Sequence, residues 1–200
     1  MLFHEAMEWF DAGELEEHFQ RFERAAAKGH EESIWIVRVM KEIEMKKDVL
    51  KEAFAKTEEP LGWYFAGQLC RGREQFDFYK KSAEGGCSWG KVEYGHYFKR
   101  GDIVEQDQKV YVEWLEKAAN QNNPEAMQWL GDWFRDESVD KQKALSYYRA
   151  ASEMGWKNSM YDLGKMLRNG DGCAKDLRQA VIWSAKGTRI FFYFLLGDAR

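Results

Sequence analysis

The stretch YVEWLEKAANQNNPEAMQWLGDWF, residues 111–134, decides the fold. It holds a Trp-x-x-Lys-Ala-Ala run from Trp114 to Ala119, then Pro124, then Leu130-Gly131 set among aromatics. Thirty-three residues on, YYRAASEMGWKNSMYDLGKML (147–167) keeps the small residues and the aromatics in register and lets the charges drift. A bulky residue followed by glycine marks that register at Leu61-Gly62, Tyr94-Gly95, Leu130-Gly131, Leu163-Gly164 and Leu196-Gly197, in steps of 33, 36, 33 and 33. A second mark, an aromatic at Phe78, Trp114, Tyr147 and Trp183, follows the first by 17, 20, 17 and 20 residues. A fixed period of this length is the signature of a repeat architecture.

Each unit reads as two amphipathic helices joined by a tight turn. In NPEAMQWLGDWFRD, Asn123 suits an N-cap and Pro124 the first helical position, where its missing N–H removes no hydrogen bond. Glycine inside a helix costs about 1 kcal/mol against alanine, so its recurrence implies close approach of a neighbouring helix. Ala118-Ala119 and Ala150-Ala151 add small residues to the second helix, and the aromatics fill the space between hairpins. One hairpin cannot bury both faces, so several must stack. The expected fold is all-α, a right-handed α/α solenoid of about six hairpins with a C-terminal capping helix. Its divisions are degenerate acidic hairpins at 1–59 (read as 1–28 and 31–56), regular repeats at 60–187, and a cap at 188–200.

These residues resemble the Sel1-like repeat family, a relative of the tetratricopeptide repeats. Leu163-Gly164, Gly170, Gly172, Asp176, Ala180 and Trp183 follow the family's order, with Cys173 where valine is usual. Asp140, Lys143, Ala144, Tyr147 and Tyr148 do so one unit earlier, and Tyr94-Gly95, Phe98, Gly101, Asp107, Trp114, Lys117 and Ala118-Ala119 before that. The resemblance implies that the first helices line a concave surface where partners bind.

Composition narrows the function. The net charge of −4 argues against a general nucleic-acid binder. Residues 1–60 hold 15 Asp/Glu and 9 Lys/Arg, a net of −6, which leaves +2 for the remainder. Three widely spaced cysteines, Cys70, Cys87 and Cys173, fit neither a disulfide framework nor a zinc site and suit a reducing compartment. The start MLFHEAMEWF lacks the character of a signal peptide, and IFFYFLL at 190–196 is too short to span a bilayer. A cytoplasmic chain without membrane attachment is expected.

Motifs for chemistry are missing. His4, His18, His30 and His96 lie far apart, and no H-E-x-x-H, G-x-S-x-G, P-loop or G-x-G-x-x-G occurs. The segment NGDGCAKD is similar to the start of a calcium loop but lacks its terminal Glu, and reads as a turn that needs glycine. No cofactor, metal or catalytic residue is expected.

Candidate partner-binding residues come from positions the repeat leaves free. One place after the glycine mark stand Trp63, His96, Asp132 and Lys165, four chemistries at equivalent sites. Two places after it stand Tyr64, Tyr97, Trp133 and Met166, which serve either a binding stripe or the core. Trp129 lies one turn from Trp133, giving two indoles on one helical face. Four places after the mark, Lys99, Arg135 and Arg168 form either a basic ladder for an acidic peptide or helix-end cations that complement the dipole.

The chain therefore reads as a non-catalytic module that binds a specific protein or peptide. An immunity protein neutralising a cognate toxin fits a short acidic chain, and a scaffold or adaptor in a signalling or secretion pathway is the alternative. A cryptic hydrolase involving His96 is the reading from another class. The expected state is a monomer, or a weak homodimer through the C-terminal helix.

Overall fold

A computed structural model of the chain describes residues 15–42, 47–136 and 140–196; the side chains of 15–19, 21, 32, 35, 39–42, 47–50 and 188–196 lie outside the described set. Its helices are α1 (Leu15–Ala27), α2 (Glu31–Glu42), α3 (Lys47–Lys56), α4 (Pro60–Gln68), α5 (Gly72–Glu84), α6 (Ser88–Arg100), α7 (Gln108–Ala119), α8 (Pro124–Asp136), α9 (Lys141–Glu153), α10 (Lys157–Asn169) and α11 (Leu177–Leu196). No strand occurs among the described residues. This is the all-α hairpin repeat that the periodicity predicts.

The repeat is most regular where a hairpin ends. Gly29, Glu58, Gly86, Asn122 and Gly155 have φ of 83, 56, 108, 59 and 94°, and each stands two residues before a helix start. The left-handed conformation reverses the chain and satisfies the last carbonyls of the helix before it. At Gly155 the N–H donates to the Ser152 carbonyl (3.0 Å) and that of Trp156 to Ala151 (3.1 Å). Gly86 and Cys87 repeat the pair on Ala83 and Ser82, and Gly29 and His30 on Ala26 and Ala25. By this mark α2, α4, α6, α8 and α10 are first helices, each followed by its second. The first half of the hairpin expected at 1–28 lies outside the described residues, and α1 forms the end of its second half.

The register glycine is the eighth residue of each of four first helices: Gly67, Gly95, Gly131 and Gly164. The mark assigned to Leu61-Gly62 is therefore five residues early. The reason is that α4 has nine residues where α6, α8 and α10 have thirteen, and the turn Leu69–Arg71 after it has only three. The mark at Leu196-Gly197 is also displaced, because Leu196 ends α11, a second helix. That helix runs unbroken from Leu177, so the segment expected to cap the chain from 188 continues the last hairpin. No described helix is long and apolar enough to cross a membrane.

The chain divides into two compact units, Met1–Gln121 and Asn122–Arg200. In the first, the interior is a chain of rings. Phe65 meets Phe22 edge-on at 5.9 Å and Phe54 at 5.3 Å, Phe76 meets Tyr97 at 5.1 Å, and Tyr94 meets Trp114 at 5.2 Å. In the second, Ala144, Tyr148, Met160, Leu163, Met166, Leu167, Ala180 and Trp183 form the core. The register glycines permit these contacts: a Cβ at Gly131 would stand 2.6 Å from the Tyr148 ring, and one at Gly67 the same distance from Tyr79. In the second unit aspartates cap the second helices. Asp140 accepts from the Lys143 N–H at 3.1 Å and Asp176 from Gln179 at 2.9 Å.

Candidate functional site

In the second unit, the first helices α8 and α10 share a polar layer over α9. Gln128 and Ser159 are buried, so their polar atoms need partners. They find them in each other and in α10: Ser159 Oγ pairs with Gln128 Oε1, and Gln128 Nε2 donates to Asp162 Oδ2 at 2.9 Å. One turn on, the Tyr148 hydroxyl of α9 donates to Asp132 Oδ1 at 2.6 Å. Above them lies Arg135. It grips Asp136 with Nε and Nη2 at 2.7 and 2.8 Å and reaches Asp132 at 3.1 Å and Asp162 at 3.3 Å. The guanidinium also sits 5.7 Å over the Tyr148 ring.

The electrostatics follow from that geometry. Burial raises the Asp162 carboxyl above its ordinary range and nearby Asp132 adds to this, while the Gln128 amide and Arg135 oppose it. Burial first, then the bond to Asp132, pushes the Tyr148 phenol up, so it stays a donor. The Asp136 hydrogen bond holds Arg135 protonated. Three carboxylates face the Arg135 guanidinium, and Lys165 acts on Asp162 from α10, which leaves an excess of one negative charge. Arg135, Asp132 and Asp162 keep 33%, 25% and 18% of their side-chain surface exposed, so the layer is anchored below and open above. Among the described residues no group of three or more His, Cys, Asp or Glu is disposed to hold a metal. What the layer can do is pair with a cationic side chain.

The expected basic ladder is corrected here. Lys99 and Arg168 are exposed, but Arg135 is committed to its own three aspartates. Lys99 also lies 5.4 Å over the Tyr111 ring. Tyr64 and Tyr97 are corrected as well, since both are buried and offer a partner no surface. Tyr64 packs on Phe65, Tyr79 and Trp89, and its hydroxyl accepts from Gln68 at 2.8 Å. The Tyr97 hydroxyl donates to Gln75 at 3.0 Å, and burial pushes that phenol up to about 12. His96 is held down to about 3, by burial first and then by Lys99 and Arg100, so its imidazole is neutral at pH 7 and a weak base. Trp63, Trp129 and Trp133 are half-buried, Trp129 donating to Glu125 at 3.4 Å. Asp132 lies within the polar layer, and Lys165 is exposed on α10 beside it.

The sequence reading missed Gln128, Tyr148, Ser159 and Asp162. Counting from the helix starts finds them: Gln128 is the fifth residue of α8, and Ser159 the third of α10. Both are polar at places where a hairpin must be dry. A second concavity, of about 770 Å³, lies in the first unit against Pro60, Leu61, Cys87, Trp89 and Gln121. It contains none of the expected residues. Lys91 spans the Gly86 carbonyl and the Gln121 amide at 3.1 and 2.5 Å.

Known proteins supply the remaining evidence. The Sel1 repeat model matches residues 92–123, 124–156 and 157–189. No curated protein matches the sequence. Among solved structures, the Sel1 repeat protein from Oxalobacter formigenes is 20% identical with a TM-score of 0.67, covering 94% of this chain and 86% of that one. A protective antigen of uropathogenic Escherichia coli strains with an SLR fold is 22% identical, TM-score 0.66, over 96% of this chain; the chain spans 49% of its length. The immunity protein Pa5087 from Pseudomonas aeruginosa is 17% identical, TM-score 0.62, over 93% of this chain and 82% of that one. At such identities the likeness shows the fold. The repeats add the class, since Sel1 repeats are protein-interaction modules and typically non-catalytic scaffolds. Residues 92–189 thus carry three consecutive Sel1 repeats, in a fold shared with solved Sel1 repeat proteins.

Proposed function

We propose that the chain binds one specific protein partner through the α8–α10 face, and that it serves as an immunity protein that sequesters a toxin. The observation that carries the binding face is the Asp132–Arg135–Asp162 layer. Its charged ends are open while Gln128, Tyr148 and Ser159 hold them from beneath. A preorganised charged surface loses little side-chain entropy on binding. Its surplus negative charge suits a partner's Arg or Lys, with Trp129 and Trp133 of the same helix as apolar neighbours. The solved immunity protein of the same fold supports the immunity role, as does the net −6 of residues 1–60, because a basic toxin would be drawn to an acidic chain.

The test is capture from a lysate of the source organism with the wild-type chain, Asp136→Asn and the pair Asp132→Asn with Asp162→Asn, followed by co-expression of the captured protein in a sensitive host. A single partner, weakened by these changes, whose toxicity the chain relieves, is the expected result. A partner retained equally by all variants overturns the binding face. A partner without toxicity overturns the immunity role alone.

A further inference from the structure

In the first unit, the short turns that lead into α2, α4 and α6 line the cavity of about 770 Å³, together with Gln121. Its walls are fastened to one another. The Pro60 carbonyl accepts from the Ser82 hydroxyl at 2.6 Å, and Gly85 lies so close to the Pro60 ring that a Cβ would stand 2.9 Å from its Cγ. The Gly86 carbonyl accepts from Gln121 Nε2 at 3.0 Å and from Lys91 Nζ at 3.1 Å. Trp89 is buried, with its ring 6.5 Å from that of Tyr64. A cavity whose walls are set beforehand loses little entropy on filling, and this volume lies within the ~300–1,000 Å³ of ligand sites.

Charge says what would fill it. The charged side chains in the lining are Glu31 and Glu59, both exposed, and neither is in an ion pair among the described residues. The lysines of the adjoining helices are engaged elsewhere. Lys91 is held by Gly86 and Gln121, Lys80 pairs with Glu84 at 3.8 Å, Lys81 lies 5.9 Å over the Phe78 ring and Lys117 4.2 Å over Trp114. Ahead of Glu31, Lys28 is exposed and the His30 ring lies 3.3 Å from the Ser33 hydroxyl; Glu58 adds a carboxylate beside Glu59. The apolar part of the lining, Pro60, Leu61 and Trp89, suits an aliphatic stem or a guanidinium. Helices α4 and α6 begin at the cavity without a side-chain cap, and the first N–H groups of a helix suit peptide carbonyls. We propose that this cavity binds a short basic segment of a partner protein, with an Arg or Lys stem on Pro60, Leu61 and Trp89 and its charge against Glu31 and Glu59. The proposal does not rest on the α8–α10 face.

The test exposes the full chain to acetylated, amidated heptapeptides randomised at every position. The peptides retained carry Arg or Lys, and a retained sequence binds at least about ten-fold more tightly than its twin with Glu for each cation. Glu31→Gln and Glu59→Gln each weaken it about three-fold, and together about ten-fold. Asp132→Asn with Asp162→Asn, which removes the same charge from the α8–α10 face, leaves it unchanged. Leu61→Lys places a cation in the cavity and abolishes binding. Circular dichroism checks each variant, and the two exposed glutamates report the site even if Leu61→Lys disturbs α4. Spermine, a cation without peptide carbonyls, competes at least about ten-fold more weakly than the peptide. Retention of no peptide, equal binding of the twins, or full competition by spermine overturns the proposal. So does a basic peptide that the Glu31 and Glu59 double variant binds as the wild type does, because it would then sit on another face.

Discussion

The two units solve the same packing problem with different side chains. In each, a register glycine lies under the ring of a tyrosine, Gly67 under Tyr79 and Gly131 under Tyr148. In the first unit the phenol meets the neutral amide of Gln75 at 3.4 Å, inside a lattice of rings. In the second it donates to the carboxylate of Asp132 at 2.6 Å, and an arginine and two more aspartates build upward from there. One unit thus spends its polar groups on fastening the interior. The other carries that fastening out to solvent as charge.

The largest effects should come from the interiors. Phe65→Ala removes a fully buried ring that touches three others, and should destabilise by roughly 3–5 kcal/mol. Leu163→Ala in the second unit should fall lower in the range of roughly 2–5 kcal/mol, because its neighbours Met160 and Met166 can shift into the space. Urea titration measures both, and a larger loss for Leu163→Ala would break the contrast between a ring lattice and an adaptable core.

Next come the glycines. Gly131→Ala and Gly67→Ala each press a methyl into a ring and should cost about 1–3 kcal/mol. Gly95→Ala, whose Cβ would stand 3.3 Å from the Trp114 Cβ, should cost less than either. The tyrosines sharpen the comparison further. Tyr148→Phe forfeits a hydrogen bond to a charged group, about 1.5–3 kcal/mol, and Tyr79→Phe a neutral one, about 0.5–1.5 kcal/mol. Equal losses in thermal unfolding would mean the ionic layer adds nothing to its anchor.

The smallest effect is a slope. The folded pKa of His96, about 3, lies below the ordinary 6.5, so its contribution to stability is present above pH 6.5 and lost as pH falls toward 3. His96→Gln should flatten stability over that window. An unchanged slope would place the ring in water rather than against Tyr111.

Much of the fold could be read from the chain because its signals are local. Asn123-Pro124, Asp107, Asp140 and Asp176 act within three residues of themselves, and the 33-residue step survives between α8 and α10. The register failed at α4, where Leu61-Gly62 imitates a mark that belongs to Gly67. The nine-residue α4 and the short Leu69–Arg71 turn, invisible without the helix ends, absorbed the difference. The site was less legible for a physical reason. A cation's availability depends on what lies across from it on another helix, and Arg135 meets Asp162 from α10, 27 residues away. Spacing showed three cations in line; it could not show that one was already occupied. The buried polar pair Gln128 and Ser159 would have warned of this, since polar atoms in a dry layer demand partners.

The two kinds of connection between helices differ in length. Every turn that leads into a first helix from α2 to α10 has three or four residues and a left-handed backbone position. The connections from a first to a second helix range from three residues at Leu69–Arg71 to seven at Gly101–Asp107 and Gly170–Asp176. Length therefore varies by one residue in the first kind of connection and by four in the second. An epitope or a fluorescent domain placed after Asp102 extends a loop that already varies, and the helices on either side keep their register. A single residue added at Met154–Trp156 would rotate α10 by about 100°, turning Ser159 and Leu163 out of the core. For labelling, immobilisation or grafting, the usable places are the loops that end at Asp107 and at Asp176, where the second helices begin.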